Sequence, residues 1–345
     1  NFMMEQPNRG KKSIGIDLGH PDGHEALMRL VETADVFLTN ALPHVRTKLG
    51  IEVEDLRARN PSIIVARGTG QGAHGPEAHK GGYDGASFWA RGGVAGLFPG
   101  DADGWPQGQP APAFGDVMGG LATAGAIAAA IAKRERTGEP SVVDVSLLAT
   151  AMWQASPLVV AAKLFGLGSF PPRDRTKAAN PGVNAYRTSD DRFITLILLQ
   201  PDKFWADLAD RLERPDLATD PRFADAASRA EHCTECIAIL DEAFGSKPLS
   251  HWKEALDDFT GVWAPFQSLI ELYDDPQVIA NGYLPTMTAG NGEEVQLVAS
   301  PAMFDEVPVT VERGPEHGEH TETVLLDLGL DWDEIAAMKE SGAIL

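Results

Sequence analysis

Between Ser13 and Ala66 the sequence alternates between two periods, and that alternation limits the fold more than any other feature. Ser13 to Leu18 (SIGIDL), Asp35 to Thr39 and Ser62 to Ala66 are short, apolar and rich in β-branched residues, as strands are. Between them, His24 to Thr33 and Val53 to Arg59 carry the apolar spacing of amphipathic helices. Strand, helix, strand, helix, strand implies an α/β fold with a parallel sheet and right-handed crossovers.

The glycine-rich run Arg67 to Gly82 follows the last of these strands. A dinucleotide fingerprint has its glycines after the first strand and opening a helix. Here Gly68, Gly70 and Gly72 lead into His74-Gly75-Pro76, which cannot start a regular helix, so a nicotinamide or flavin site is rejected. A loop crowded with Gly, Pro and Asp spans Gly100 to Pro112, and a helix follows from about Gly119 to Arg136, closed by basic residues and Gly138. It is apolar nearly all round, which predicts burial.

Ser141 to Leu147 reads as a further strand and Leu148 to Phe165 as one long helix. Pro171, Pro172 and the basic loop Arg173 to Lys177 then mark a domain boundary. Beyond it, Ala185 to Thr188 and Phe193 to Leu198 form a hairpin about Ser189-Asp190-Asp191. Helical segments follow, ending with Asp331 to Ser341.

A formal charge of −21 repels nucleic acid and anionic membranes, so neither is expected as a partner, and a phosphate-bearing ligand would need a local basic patch. The longest apolar runs, Ala124 to Ala132 and Ser156 to Ala162, fall short of the roughly 18 residues of a membrane span. The N-terminus lacks the apolar core of a secretory signal, and a cytoplasmic location is expected. With only Cys233 and Cys236, a disulfide framework is excluded. Zinc wants four ligands and no second pair exists, so AEHCTECIAILDEAF reads as a helix with both thiols near its buried face.

The segment Gly115-Asp116-Val117-Met118-Gly119-Gly120 frames a lone carboxylate with glycines at the start of the small-residue helix. Asp116 has two readings. It is either a helix N-cap or a nucleophile placed where a ligand comes very close.

Several separated stretches then matter together: NRGKKSIGIDL (Asn8 to Leu18), ADVFLTNALPHVRTKLGI (Ala34 to Ile51), GYDGASFWARGG (Gly82 to Gly93), FGDVMGG, RTGEPSVVDVSLL (Arg136 to Leu148), NPGVNAYRTSDDRFI (Asn180 to Ile194), DDPQVIANGYL (Asp274 to Leu284) and GEHTETVLLDLGL (Gly318 to Leu330). In this order, over nearly the whole chain, they resemble the class III coenzyme A transferases, the family of formyl-CoA, carnitine and phenyllactate CoA-transferases and of the related 2-methylacyl-CoA racemases. The resemblance implies a Rossmann-like large domain over residues 1–180, an inserted smaller α+β domain over 181–295, and a tail, 296–345, returning to the first. It also implies an interlocked-ring homodimer with the active site at a domain and subunit interface. Family members begin with another strand and helix that supply part of the coenzyme A site. Here Asn8 to Lys12 sits almost at the first residue, so the sequence looks like a fragment or a chain without its start.

On the family pattern Asp116 matches the catalytic aspartate, which implies transfer of coenzyme A from an acyl-CoA to a carboxylic acid through aspartyl anhydride and aspartyl-CoA thioester intermediates. Coenzyme A enters as co-substrate, with no metal, nicotinamide or flavin. Backbone N–H groups of Gly119 and Gly120 are the expected oxyanion donors. Asn40 and Lys48 match coenzyme A contacts, and Arg67 is a candidate for its phosphates or for an acidic partner. Tyr83 stands where racemases carry a histidine, which favours transfer over the alternatives, a racemase-like isomerase or a catalytically silent acyl-CoA-binding relative. His74 and His79 lie nearby in a loop, and Phe88 and Trp89 read as core with a hint of an aromatic acid site.

Overall fold

The computed structural model describes residues 2–98, 100–101, 103–168 and 174–345, so the expected break at Pro171 to Arg173 lies outside the described residues. The backbone forms two compact units, one of Asn1–Pro172, Thr286–Leu297 and Thr310–Leu345, the other of Arg173–Pro285 and Val298–Val309.

The first unit opens with α1 (Phe2–Asn8), α2 (Pro21–Thr33), β1 (Val36–Thr39), α3 (Pro43–Leu49), α4 (Val53–Arg59) and β2 (Ile64–Thr69). After a long loop and a π-helical turn, Asp84–Ala90, come α5 (Phe114–Thr137), β3 (Val142–Ser146), α6 (Leu147–Gln154) and α7 (Ser156–Phe165). The sheet is parallel, in the order β1-β2-β3, with Thr39 beside Arg67 and Arg67 beside Asp144. Met28, Val31, Ile51, Leu56, Ile63 and Val65 fill the space between the helices and one face of this sheet.

Ser13 to Leu18 is not a strand. Ile16 makes a single antiparallel bridge to Ile344, and the Asp17 N–H bonds the Ala343 carbonyl, so the C-terminal tail takes the hydrogen bonds a sheet neighbour would have taken. The expected helix Leu148 to Phe165 is two helices bent by 73° at Ala155, because Pro157 in the next turn cannot donate to the preceding carbonyls.

In the second unit β4 (Val183–Arg187) and β5 (Phe193–Ile197) form the expected hairpin, with Asp191 at φ 58° in the turn. The helices α8 (Pro201–Arg211), α9 (Ala226–Glu231), α10 (Cys233–Gly245) and α11 (Leu249–Ala255) precede β6 (Trp263–Pro265), which adds to β5, and α12 (Pro276–Ala280). The helix expected through His232 is interrupted there. Cys236 is buried and Cys233 half-buried, and burial pushes the Cys236 thiol up to about 12.

The chain returns to the first unit with the hairpin β7 (Thr286–Thr288) and β8 (Glu294–Gln296), then α13 (Thr321–Asp327) and α14 (Trp332–Glu340). Leu325, Leu330, Ile335 and Met338 pack there against Ala26 of α2.

The helix α5 departs from expectation twice. It begins five residues early, at Phe114, and only Gly115, Gly119 and Ala130 of its 24 residues are buried. Alanine and glycine make it apolar without making it bulky, and although it packs against β2, β3 and α6, most of its surface stays uncovered. Over an 18-residue window its mean hydropathy is 1.5, so by length and composition it could cross a membrane, which the shorter strictly apolar runs concealed.

Candidate active site

A cavity of about 610 Å³ opens at the carboxyl ends of the three parallel strands. Asn40 follows β1, Gly68 to Gly70 end β2, and Val145 to Leu147 run from β3 into α6. Open parallel sheets bind ligands at this edge, where the strand ends release their loops. The far wall is the first three turns of α5, with Asp116, Gly119, Gly120 and Thr123, and the loop segment Ala78 to Tyr83 completes the rim. Gly70 and Gly82 cross so closely that a side chain on either would strike the other's backbone or the Ser87 hydroxyl.

Among the described residues lining the cavity, Lys80 and Asp116 carry the charges. The Lys80 ammonium donates to Glu77 at 2.7 Å, and Glu77 also pairs with Arg91. These two cations hold the Glu77 carboxyl down at about 2, the Lys80 hydrogen bond contributing most.

Asp116 is not the cap of α5. The capping residue is Ala113, held at φ 58° and without a side-chain acceptor, and Asp116 lies within the first turn. Its carboxylate takes no hydrogen bond among the described residues. The cap comes from another element: Asp84 Oδ1 accepts the Gly115 N–H at 3.0 Å. Partial burial, then the nearby Asp84 charge, raise the Asp116 carboxyl above the ordinary carboxylate value.

This helix start removes one expected role. Gly119 and Gly120 lie beyond the first four residues of α5, so their N–H groups are committed to intrahelical carbonyls and cannot serve as oxyanion donors. Both still line the cavity, where the missing side chains leave room: a methyl at Gly120 would meet nothing within 4 Å.

Asn40 and Tyr83 line the cavity, whereas Lys48 and Arg67 do not. Lys48 is exposed on α3. Arg67 is gripped by Asp144 of the next strand through hydrogen bonds of 2.7 and 2.8 Å. Tyr83 is 87% exposed, so its ring is not packed in the core. His74 and His79 are exposed outside the lining, and Phe88 and Trp89 are core, sealed by Phe114, Val94 and Ala151. Sequence reading missed Lys80, a loop cation with no local pattern, and the capping role of Asp84, 31 residues upstream of its partner. Among the described residues no cluster of three His, Cys, Asp or Glu side chains could hold a metal.

The model of CoA-transferase family III matches residues 1–321, and the chain belongs to that family of enzymes. It is 31% identical, over 100% of its length and 85% of the relative's, to the (R)-2-hydroxy-4-methylpentanoate CoA-transferase of Clostridioides difficile. It is 29% identical, over 100% of the chain and 84% of the relative, to the cinnamoyl-CoA:phenyllactate CoA-transferase of Clostridium sporogenes. Among solved structures, Rv3272 of Mycobacterium tuberculosis superposes with a TM-score of 0.77 at 30% identity, covering 92% of this chain and 84% of that one. These neighbours share the α/β content and the parallel sheet.

Proposed function

We propose that this enzyme moves coenzyme A from an acyl-CoA to a carboxylic acid with Asp116 as the nucleophile. The observation that carries the reading is an unpartnered carboxylate on the wall of a cavity at the carboxyl edge of a parallel sheet. A carboxylate is a weak nucleophile in water, but one held beside a bound thioester gains a large effective concentration.

One Asp116 oxygen attacks the thioester carbonyl and the C–S bond breaks, giving a mixed anhydride and coenzyme A thiolate. The thiolate then attacks the Asp116 carbonyl carbon. The first acid leaves as its carboxylate with an oxygen that came from Asp116, and an aspartyl-CoA thioester remains. The acceptor carboxylate attacks that thioester, the thiolate leaves, and its attack on the acceptor side of the second anhydride yields the new acyl-CoA and free Asp116. Each bond formed replaces one of similar energy, so no nucleotide is hydrolysed.

Lys80 supplies a positive charge on the cavity wall and Asn40 an amide for a polar ligand group. The names of the relatives favour 2-hydroxy acids as acceptors. We further propose a Rossmann-like large domain, an interlocked homodimer and a cytoplasmic setting. Val117 and Leu121 of α5 and Leu164 and Phe165 of α7, all exposed in one chain, support the dimer, and two unpaired thiols support a reducing compartment.

The test is to incubate the enzyme with an acyl-CoA, trap with hydroxylamine or borohydride, and map the modified residue by mass spectrometry. Modification at Asp116, absent from Asp116→Ala, is expected. Exchange of the α-hydrogen with solvent and no modification would overturn the reading in favour of an isomerase.

A further inference from the structure

We propose that Asp84 is a positioning residue for this reaction, its carboxylate fixing the first turn of α5 and thereby the direction in which Asp116 faces the cavity. The proposal rests on the reading of Asp116 as nucleophile.

Four observations carry it. Ala113 gives α5 no side-chain cap, so the orphan N–H groups of the first turn need an acceptor from elsewhere. Asp84, 6% exposed, supplies one, its Oδ1 taking the N–H of Gly115, the residue directly before Asp116. The contact is closed against adjustment: a methyl at Gly115 would overlap both the Phe88 ring and the Asp84 carboxylate, and Phe88 is fully buried. The second oxygen, Asp84 Oδ2, is buried without a hydrogen-bond partner, a costly arrangement that a purely structural cap would not require.

An asparagine at this position would cap Gly115 as well and would carry no charge. The carboxylate adds a negative charge at the N-terminus of α5, favourable to the helix, beside a second one that must act as a nucleophile. Its consequence is a more basic and therefore more nucleophilic Asp116. Of the neighbouring charges, Asp84 is the one that raises the Asp116 carboxyl. Lys80 lines the cavity but is paired with Glu77, the β3 acid Asp144 is paired with Arg67 of β2, and α6 brings no titratable side chain.

The experiment follows the rate of acyl-CoA-dependent modification of Asp116 against pH in the full chain, for the wild type, Asp84→Asn and Asp84→Ala. Asp116 reacts as the carboxylate, so the rate falls as pH drops through its pKa. Asp84→Asn keeps an acceptor for Gly115 and should move this acid limb to lower pH. Asp84→Ala should also slow the plateau by about 10- to 100-fold, the range that follows loss of alignment. A wild-type plateau rate in Asp84→Ala, with wild-type modification intact, would overturn the proposal. An unmodified Asp116 in the wild type would instead overturn the nucleophile reading itself.

Discussion

Arg67 and Asp144 lie in register on neighbouring parallel strands, joined by a two-pronged pairing of guanidinium and carboxylate. One cation that the sequence offered for a phosphate is therefore spent on the sheet. Its pKa is raised, chiefly by the hydrogen bond to Asp144. Arg67→Met should lower stability by about 1.5–3 kcal/mol, the worth of a hydrogen bond to a charged group, and leave KM for acyl-CoA within about twofold. Thermal melts and initial-rate kinetics check both halves.

Lys48 and Lys80 divide in the opposite sense. Lys80 reaches the cavity and Lys48 does not. Lys80→Ala should raise KM for acyl-CoA by up to about tenfold, equivalent to one charge-assisted hydrogen bond, while Lys48→Ala changes it little. A larger effect of Lys48→Ala than of Lys80→Ala in steady-state kinetics would place the ligand on α3 instead.

Two glycines of one helix should respond differently to the same substitution. Gly115→Ala drives a methyl into Phe88 and Asp84 and should cost about 1–3 kcal/mol, read by denaturant titration. Gly120→Ala meets open space, so stability should hold or rise by up to about 1 kcal/mol from helix propensity while the methyl narrows the cavity and raises KM.

Asp116 should also be a liability to the fold. Its carboxyl is raised in the folded chain, so the native state holds this proton to higher pH than the unfolded state does. Stability is then lost as pH rises from the unfolded value through the folded one. Asp116→Asn should be more stable than wild type at neutral pH, by about a few tenths of a kcal/mol given its exposure, and equal to it in acid. Melting curves at the two pH values test this, and activity should be lost in both.

Most helices and the parallel strands around the site were legible because each carries its own period, and the aspartate because glycines frame it, whereas the short α3 was not read. What escaped sequence reading depends on partners far along the chain. Ser13 to Leu18 has a strand's composition, but the tail at Ala343 and Ile344 takes its hydrogen bonds. The early start of α5 depends on the positive φ of Ala113 and on Asp84, and it alone turns Gly119 and Gly120 from donors into open wall. Burial of α5 was predicted from apolarity, which counts methyl groups and says nothing of what stands opposite them.

The oxygen atoms of Asp116 test the central claim most directly. With an acceptor acid labelled in its carboxylate by heavy oxygen, each turnover should leave one acceptor oxygen on the side chain, and the peptide containing Asp116 should gain mass. Coenzyme A transfer at full rate with that peptide unlabelled would contradict a covalent role for Asp116.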